Sequence, residues 1–191
     1  MVKGIGFAAL LLISTPLLAQ SQRSALYGDA SLWAGAEAST FNPDYGCRHS
    51  NLVFECSHDL VGVAGLFDFN VTSKFGAEGE ARWLNWNGQG NEKESTYMLG
   101  PRYRIYRFSR FSLWAKVLAG GGWITTPYYP QAGSVKGSFF AFAPGGTLDY
   151  RLTRRIKLRA EYEYQYWPSF PPNGLGPDGV SVGFTYRFLG Q

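Results

Sequence analysis

Two short units in one stretch carry the most recognisable ligand chemistry of the chain: Cys47-Arg48-His49 and Cys56-Ser57-His58. Two thiolates and two imidazoles at such spacing suit a tetrahedral zinc or copper site. The same cysteines are the only two in the sequence and could instead pair with each other. In an exported chain that pairing is the preferred one, because thiols oxidise outside the cytoplasm. Closing a loop of about ten residues contributes on the order of 2 to 3 kcal/mol in the chain-entropy description. A Cys47–Cys56 disulfide is therefore expected, with Cys47, His49, Cys56 and His58 retained as a metal alternative.

A second set is ionic. Glu78, Glu80 and Arg82 alternate with uncharged residues, and so do Arg159, Glu161 and Glu163. If the two runs faced each other they could act as a switchable gate. Static charge compensation is the preferred reading, since buried charges chiefly require partners.

The element that must position these groups is a strand. Across 156–167, Ile-Lys-Leu-Arg-Ala-Glu-Tyr-Glu-Tyr-Gln-Tyr-Trp, the even positions are apolar or aromatic and nearly all odd ones are charged or amide. That period of two makes one oily face and one ionic face. The tyrosine ladder suits a headgroup boundary, where an aromatic body and a polar tip are both satisfied. Similar patterns predict further strands at 27–41, 60–72, 75–86, 96–106, 111–123, 138–151 and 179–188. Long connections at 42–59, 87–95, 124–137 and 168–178 alternate with short ones at Ser73-Lys74, 107–110 and 152–155. Pro101 and Pro144 each remove a ladder donor and are expected at bulges or other irregularities.

On the charged parity stand the acids Asp29, Glu37, Asp68, Glu78, Glu80, Asp149, Glu161 and Glu163. The bases there are Arg82, Arg102, Arg104, Lys116, Arg151, Lys157, Arg159 and Arg187. Equal numbers of the two signs point to a narrow enclosed lumen, because a surface in water has no need to cancel its charge. The opposite parity is uncharged within the proposed strands, as a lipid face requires when a midplane Arg or Lys costs about 2 to 4 kcal/mol. The expected architecture is all-β: an eight-stranded antiparallel up-and-down transmembrane barrel. Its luminal network would comprise Glu37, Asp68, Glu78, Glu80, Arg82, Arg102, Arg104, Lys116, Asp149, Arg159, Glu161 and Glu163. A lipocalin-like carrier with its apolar face inward is the soluble rival. With eight strands the lumen is about filled by its own side chains, so large solutes are expected not to pass.

At 191 residues the chain fits one domain. Residues 1–19, an early lysine and an apolar run ending at Ala19, read as a signal peptide; 20–191 read as the barrel. Aromatics at 17% and 24 glycines suit a curved barrel with girdles. The net charge of +4 forms no basic run interleaved with aromatics, so nucleic acid is not an expected partner.

The segments Met98-Leu99-Gly100-Pro101-Arg102-Tyr103-Arg104, 145–152 and Val182-Gly183-Phe184-Thr185-Tyr186-Arg187-Phe188 resemble the small eight-stranded barrels of Gram-negative outer membranes, the group of the outer membrane protein A transmembrane domain and its short adhesin-like relatives. The resemblance covers essentially all of 20–191. It implies insertion by the barrel-assembly machinery, which reads a terminal aromatic, here Tyr186 and Phe188. It implies outer-membrane lipids and lipopolysaccharide as surroundings, and an extracellular ligand met through the first and third long loops. Some related barrels modify lipid A, which would cast His49 with Ser50, or His58 with Ser57 and Asp59, as base and nucleophile. An ionic lumen leaves no room for an acyl chain, and no histidine falls on a strand. The expectation is thus a structural or surface-interaction protein without a cofactor; a lipid A-modifying enzyme and a small-solute, porin-like channel are the rivals.

Overall fold

The computed structural model describes residues 30–44, 59–85, 92–127, 134–171 and 173–190. Eight strands follow in chain order: β1 Ser31–Asn42, β2 Leu60–Asn70, β3 Phe75–Asn85, β4 Lys93–Phe108, β5 Phe111–Pro127, β6 Ser134–Arg151, β7 Ile156–Tyr164 and β8 Asp178–Leu189. Each pairs antiparallel with the next, and β8 closes on β1. Closure leaves no unpaired edge, which is the condition for placing a sheet in hydrocarbon.

The alternation that marks the strands sets their faces. Val63, Leu99, Val117, Leu158 and Val182 are exposed on the outer wall, while Asp68, Arg82, Lys116 and Arg159 on the other parity are buried in the lumen. Ionised groups therefore line the axis, and the inverted, carrier-like arrangement does not apply. Aromatics gather near both ends of the outer wall. Trp83, Tyr97 and Trp123 pack edge to face at centroid separations of 5.9 and 5.3 Å, and Phe75–Tyr103 and Phe111–Tyr150 pair near the tight turns. From Phe75 to Trp83, eight steps of about 3.4 Å tilted by about 40° span about 20 Å, close to the apolar belt of an outer membrane.

Two of the tight turns share one chemistry. Thr72 Oγ1 accepts the N–H of Lys74 and of Phe75 at 3.2 and 3.0 Å. Thr153 Oγ1 likewise accepts the N–H of Arg155 and of Ile156 at 3.1 and 3.0 Å. These turns, Ser109-Arg110, the start of β1 and the end of β8 lie together at the end read as periplasmic.

Several boundaries differ from the sequence expectation. β4, β5 and β6 extend beyond the expected outer ends, carrying Lys93 and Lys136 on the outward parity at one level through Thr125. Above the hydrocarbon the backbone continues to pair while the side-chain alternation is no longer enforced. β7 stops at Tyr164 instead of 167, because the β6–β7 ladder ends at Gly145–Glu163. Pro144 stands next, without an N–H to offer, and the contact resumes only as a bridge between Phe142 and Tyr166.

Neither proline shifts the register. Pairing of β4 with β5 skips Gly100 and Pro101 and continues unchanged, and the shifts fall between Arg104 and Tyr106 and, on β1 against β8, between Leu32 and Trp33. Both are at the periplasmic rim, where strands must bend into turns. Tyr27 and Asp29 lie outside the described residues, and β1 begins at Ser31.

Candidate functional site

The lumen has three levels, each set by where along its strand an inward residue falls. The middle level is an ionic network. Lys116 on β5 reaches four carboxylates: its Nζ lies 2.9 Å from Glu78, 3.0 Å from Glu80, 2.7 Å from Glu161 and 2.9 Å from Glu163. Arg82 on β3 meets Glu80 and Glu163 at 2.7 Å each and Glu161 at 3.1 Å.

Below them Arg159 on β7 meets Asp149 at 2.8 Å and Glu78 at 3.3 Å, and it also pairs with Asp68. Arg102 on β4 pairs with Asp68 and lies 3.0 Å from Glu78 and 3.5 Å from Asp149. Glu37 approaches Arg159 at 3.9 Å. Glu78, Glu80 and Glu161 offer oxygens within 4.8 Å of one another, a spacing that would suit a divalent cation. The Lys116 ammonium already stands among them, so the chain supplies its own cation there.

The outer level was not foreseen. Met98, Leu118, Ile124, Ala141, Ala143, Trp167 and Leu175 form a buried apolar cluster inside the barrel, joined by Phe139 and Phe170. Phe41, Leu60 and Leu84 form a second. Expecting an ionic lumen throughout was therefore wrong for the outer end. Its apolar space is filled by the chain's own segment after β7, which folds inward. Trp167 and Leu175 exchange backbone hydrogen bonds of 2.9 and 3.2 Å. The reversal between them uses Gly174 at φ 89°, a conformation that favours glycine.

Trp167 is fully buried, and a Cβ on Gly122 would lie 2.2 Å from its ring. Its Nε1 donates to Gln165 Oε1 at 3.0 Å, and Gln165 Nε2 donates to Glu163 Oε1 at 2.9 Å. The apolar cap is thus tied to the ionic network by an unbroken chain of hydrogen bonds. The sequence signal available was the odd position of Trp167, which places a large aromatic on the ionic face.

The third level is the periplasmic mouth, where the bases outnumber the acids. Trp33 carries Lys157 Nζ 3.6 Å and Arg187 5.4 Å from its ring centre. Trp114 carries Arg102 at 4.3 Å and Arg104 at 5.5 Å. Arg104, expected in the luminal network, sits at the mouth against an indole.

The equal count of luminal charges read from sequence does not hold level by level. Among the described residues the buried acids number eight (Glu37, Asp68, Glu78, Glu80, Glu94, Asp149, Glu161, Glu163), against four buried bases, Arg82, Arg102, Lys116 and Arg159. Glu94, absent from the expected network, faces the outer level, and neither of its oxygens has a hydrogen-bond partner.

Of the other expected sites, Cys47, His49, Cys56 and His58, together with Ser50 and Ser57, lie outside the described residues. Tyr186 and Phe188 pair edge to face at 5.2 Å on the outer wall of β8.

The sequence matches the family model described as Outer membrane protein beta-barrel domain over residues 5–188. The chain belongs to this family. Its place is accordingly the outer membrane. Solved barrels share the fold. Neisserial surface protein A, from Neisseria, superposes with a TM-score of 0.66 at 12% identity, covering 83% of this chain and 99% of that one. Ail, the attachment invasion locus protein of Yersinia pestis, gives 0.54 at 20% identity over 84% and 99%. The outer membrane protein OprG of Pseudomonas aeruginosa gives 0.55 at 14% identity over 84% and 97%. Among curated protein sequences none matches the chain.

Proposed function

We propose that this family member works at the cell surface through its extracellular connections, in an adhesin-like or structural role, with a barrel that conducts no sizeable solute. The observation that carries this reading is the filled lumen. Lys116 and its four carboxylates occupy the middle, and the buried cluster around Trp167 occupies the outer end. Moving a solute along the axis would require separating buried ion pairs at several kcal/mol each and displacing a close-packed indole. Barrels of the same architecture include proteins named for attachment and for the surface, which makes a contact role natural without specifying its ligand.

Outer-membrane lipids surround the wall in this reading. Lys93 and Lys136, level with each other above the Trp123 girdle, face the height at which lipopolysaccharide carries its phosphates. The Tyr186–Phe188 pair at the end of β8 is the element offered to the barrel-assembly machinery. The contact surface is assigned to the first and third long connections, with Cys47 and Cys56 paired as a disulfide in the first. A lipid A-modifying enzyme draws no support from the described lumen, whose apolar end is occupied by Trp167 and Leu175.

The test is binding of intact cells to arrays of immobilised polysaccharides and proteins, with the chain intact or with 45–58 replaced by a short Gly-Ser linker. Binding that disappears with the replacement supports the reading. Equal binding by both, or a steady wide pore in planar bilayers, overturns it.

A further inference from the structure

At the periplasmic end the lumen opens into a cavity of about 460 Å³. Its walls are basic to a degree that the ionic network does not require. Arg104, Arg107, Arg151, Lys157 and Arg187 line it from β4, β6, β7 and β8, and Arg110 and Arg154 line it from the turns. The acid lining it is Asp149, which is already engaged by Arg159 at 2.8 Å and by Arg102 and Lys157 at 3.5 Å. Arg107, Arg110, Arg151 and Arg154 meet no carboxylate among the described residues.

Backbone geometry aims one of these arginines. β4 alternates regularly to Arg104, so Tyr106 would come next on the inner face. The register shift between Arg104 and Tyr106 sets Tyr106 opposite the outward Leu113 and Arg107 opposite the inward Ser112. A bulge that turns a tyrosine out and an arginine in is the kind of local device that re-aims side chains beside binding sites. The second shift, on β1 against β8, ends at the pair Trp33–Arg187, which also lines the cavity.

Trp114 lines the cavity and is 4% exposed, yet its Nε1 donor has no acceptor. Buried donors are rarely left so. The guanidinium groups lining the cavity, with Ser31, Asn70 and Ser112 on its wall and the buried Trp114 Nε1 behind them, describe a receptor for an anion carrying several oxygens. Guanidinium forks match phosphate bidentately.

We propose that the periplasmic mouth binds a phosphate-bearing ligand, with Arg107, Arg151 and Arg154 as its principal contacts. The phosphate comes either from an anionic phospholipid headgroup of the inner leaflet or from a soluble phosphorylated compound of the periplasm; the site chemistry is the same for both.

The test uses the full-length protein in nanodiscs of zwitterionic phosphatidylcholine, titrated calorimetrically with inorganic pyrophosphate. Saturable one-to-one binding that weakens with added salt is expected, with Arg107→Gln and Arg154→Gln each about tenfold weaker, the loss of one charge-assisted contact. Lys74→Gln alters a cation at the same end that does not line the cavity, and it should leave affinity unchanged. Heat-modifiable gel mobility shows that each variant is folded.

Adding phosphatidylglycerol to the discs separates the sources. Competition with pyrophosphate and retention of the lipid in native mass spectra identify the headgroup; undisturbed pyrophosphate binding identifies a soluble ligand. The proposal is overturned if neither pyrophosphate nor phosphatidylglycerol binds, or if Lys74→Gln weakens binding as much as Arg154→Gln.

Discussion

Replacing Lys116 by methionine tests the ionic network at its centre. The substitution keeps a long unbranched side chain and removes the ammonium that lies within 3.0 Å of four carboxylates. Oxygens of Glu78, Glu80 and Glu161 then face one another at separations up to 4.8 Å. Two carboxylates at that distance repel by about 3.5 kcal/mol at an effective dielectric of about 20. Relaxation and water entry absorb part of this, and breaking a buried ionic group by removing one partner costs about 3 to 5 kcal/mol in all. Urea unfolding in lipid vesicles, read by heat-modifiable mobility, should show a loss of that size. Lys157→Met, which touches Asp149 at 3.5 Å and is 13% exposed, should lose less.

The same vacancy should acquire a ligand. Carboxylate oxygens so arranged suit calcium, and saturation at about a hundred times the dissociation constant restores about 2.7 kcal/mol. Calcium should therefore stabilise Lys116→Met and leave the unsubstituted protein unchanged. If the variant unfolds within about 1 kcal/mol of the parent and ignores calcium, the four glutamates are not held by this lysine and the description of the lumen fails.

The remaining expectations concern the cap, the wall and assembly. Gly122→Ala drives a methyl into the Trp167 ring, 2.2 Å away, and should destabilise by about 1 to 3 kcal/mol; adding Trp167→Ala should relieve that strain, seen as non-additivity in a double-mutant cycle. Trp167→Ala alone should cost about 3 to 5 kcal/mol and raise small-ion leakage in planar bilayers, since the outer end of the lumen then lacks its largest side chain. Val117→Arg, on the outer wall at 52% exposure, should cost about 2 to 4 kcal/mol in bilayers, against a near-neutral effect for Val117→Leu. Phe188→Ser should lower the yield of folded barrel in cells while leaving refolding of purified chain into vesicles largely intact, which separates recognition during assembly from stability.

How far the sequence exposes this molecule depends on period and on height. Period is legible because lipid enforces it: one Lys or Arg on the wall at midplane would cost as much as a large part of total stability, so inner and outer faces separate cleanly along the membrane-spanning parts of the described strands. Where lipid ends, so does the constraint. Lys93 and Lys136 fall on the outward parity of strands that simply continue, and alternation alone could not extend β4, β5 and β6 to them. Of the bulges or irregularities expected at Pro101 and Pro144, the structure has irregularities, gaps in the ladder without a register shift, because a lost donor interrupts a ladder without lengthening either strand. The true shifts fall at Ile105 and Phe188, residue types that do not by themselves mark a bulge.

Height is the harder coordinate, and the site depends on it. Parity assigns Glu94, Lys116 and Arg187 to one face but is silent about their levels, which follow from how eight tilted strands are staggered on closing. Summed along the axis, the luminal charges seemed to cancel; stacked by level, carboxylates concentrate in the middle, apolar residues at the outer end and guanidinium groups at the periplasmic end. A lumen built only to neutralise itself would pair opposite charges at every level, as that shortens each contact. Here Arg107, Arg110, Arg151 and Arg154 stand exposed beyond the reach of the central carboxylates, a local excess of positive charge that attracts an anion. The central pairs follow from closure of the barrel; the arginines at its mouth are the part for which the proposed anion accounts.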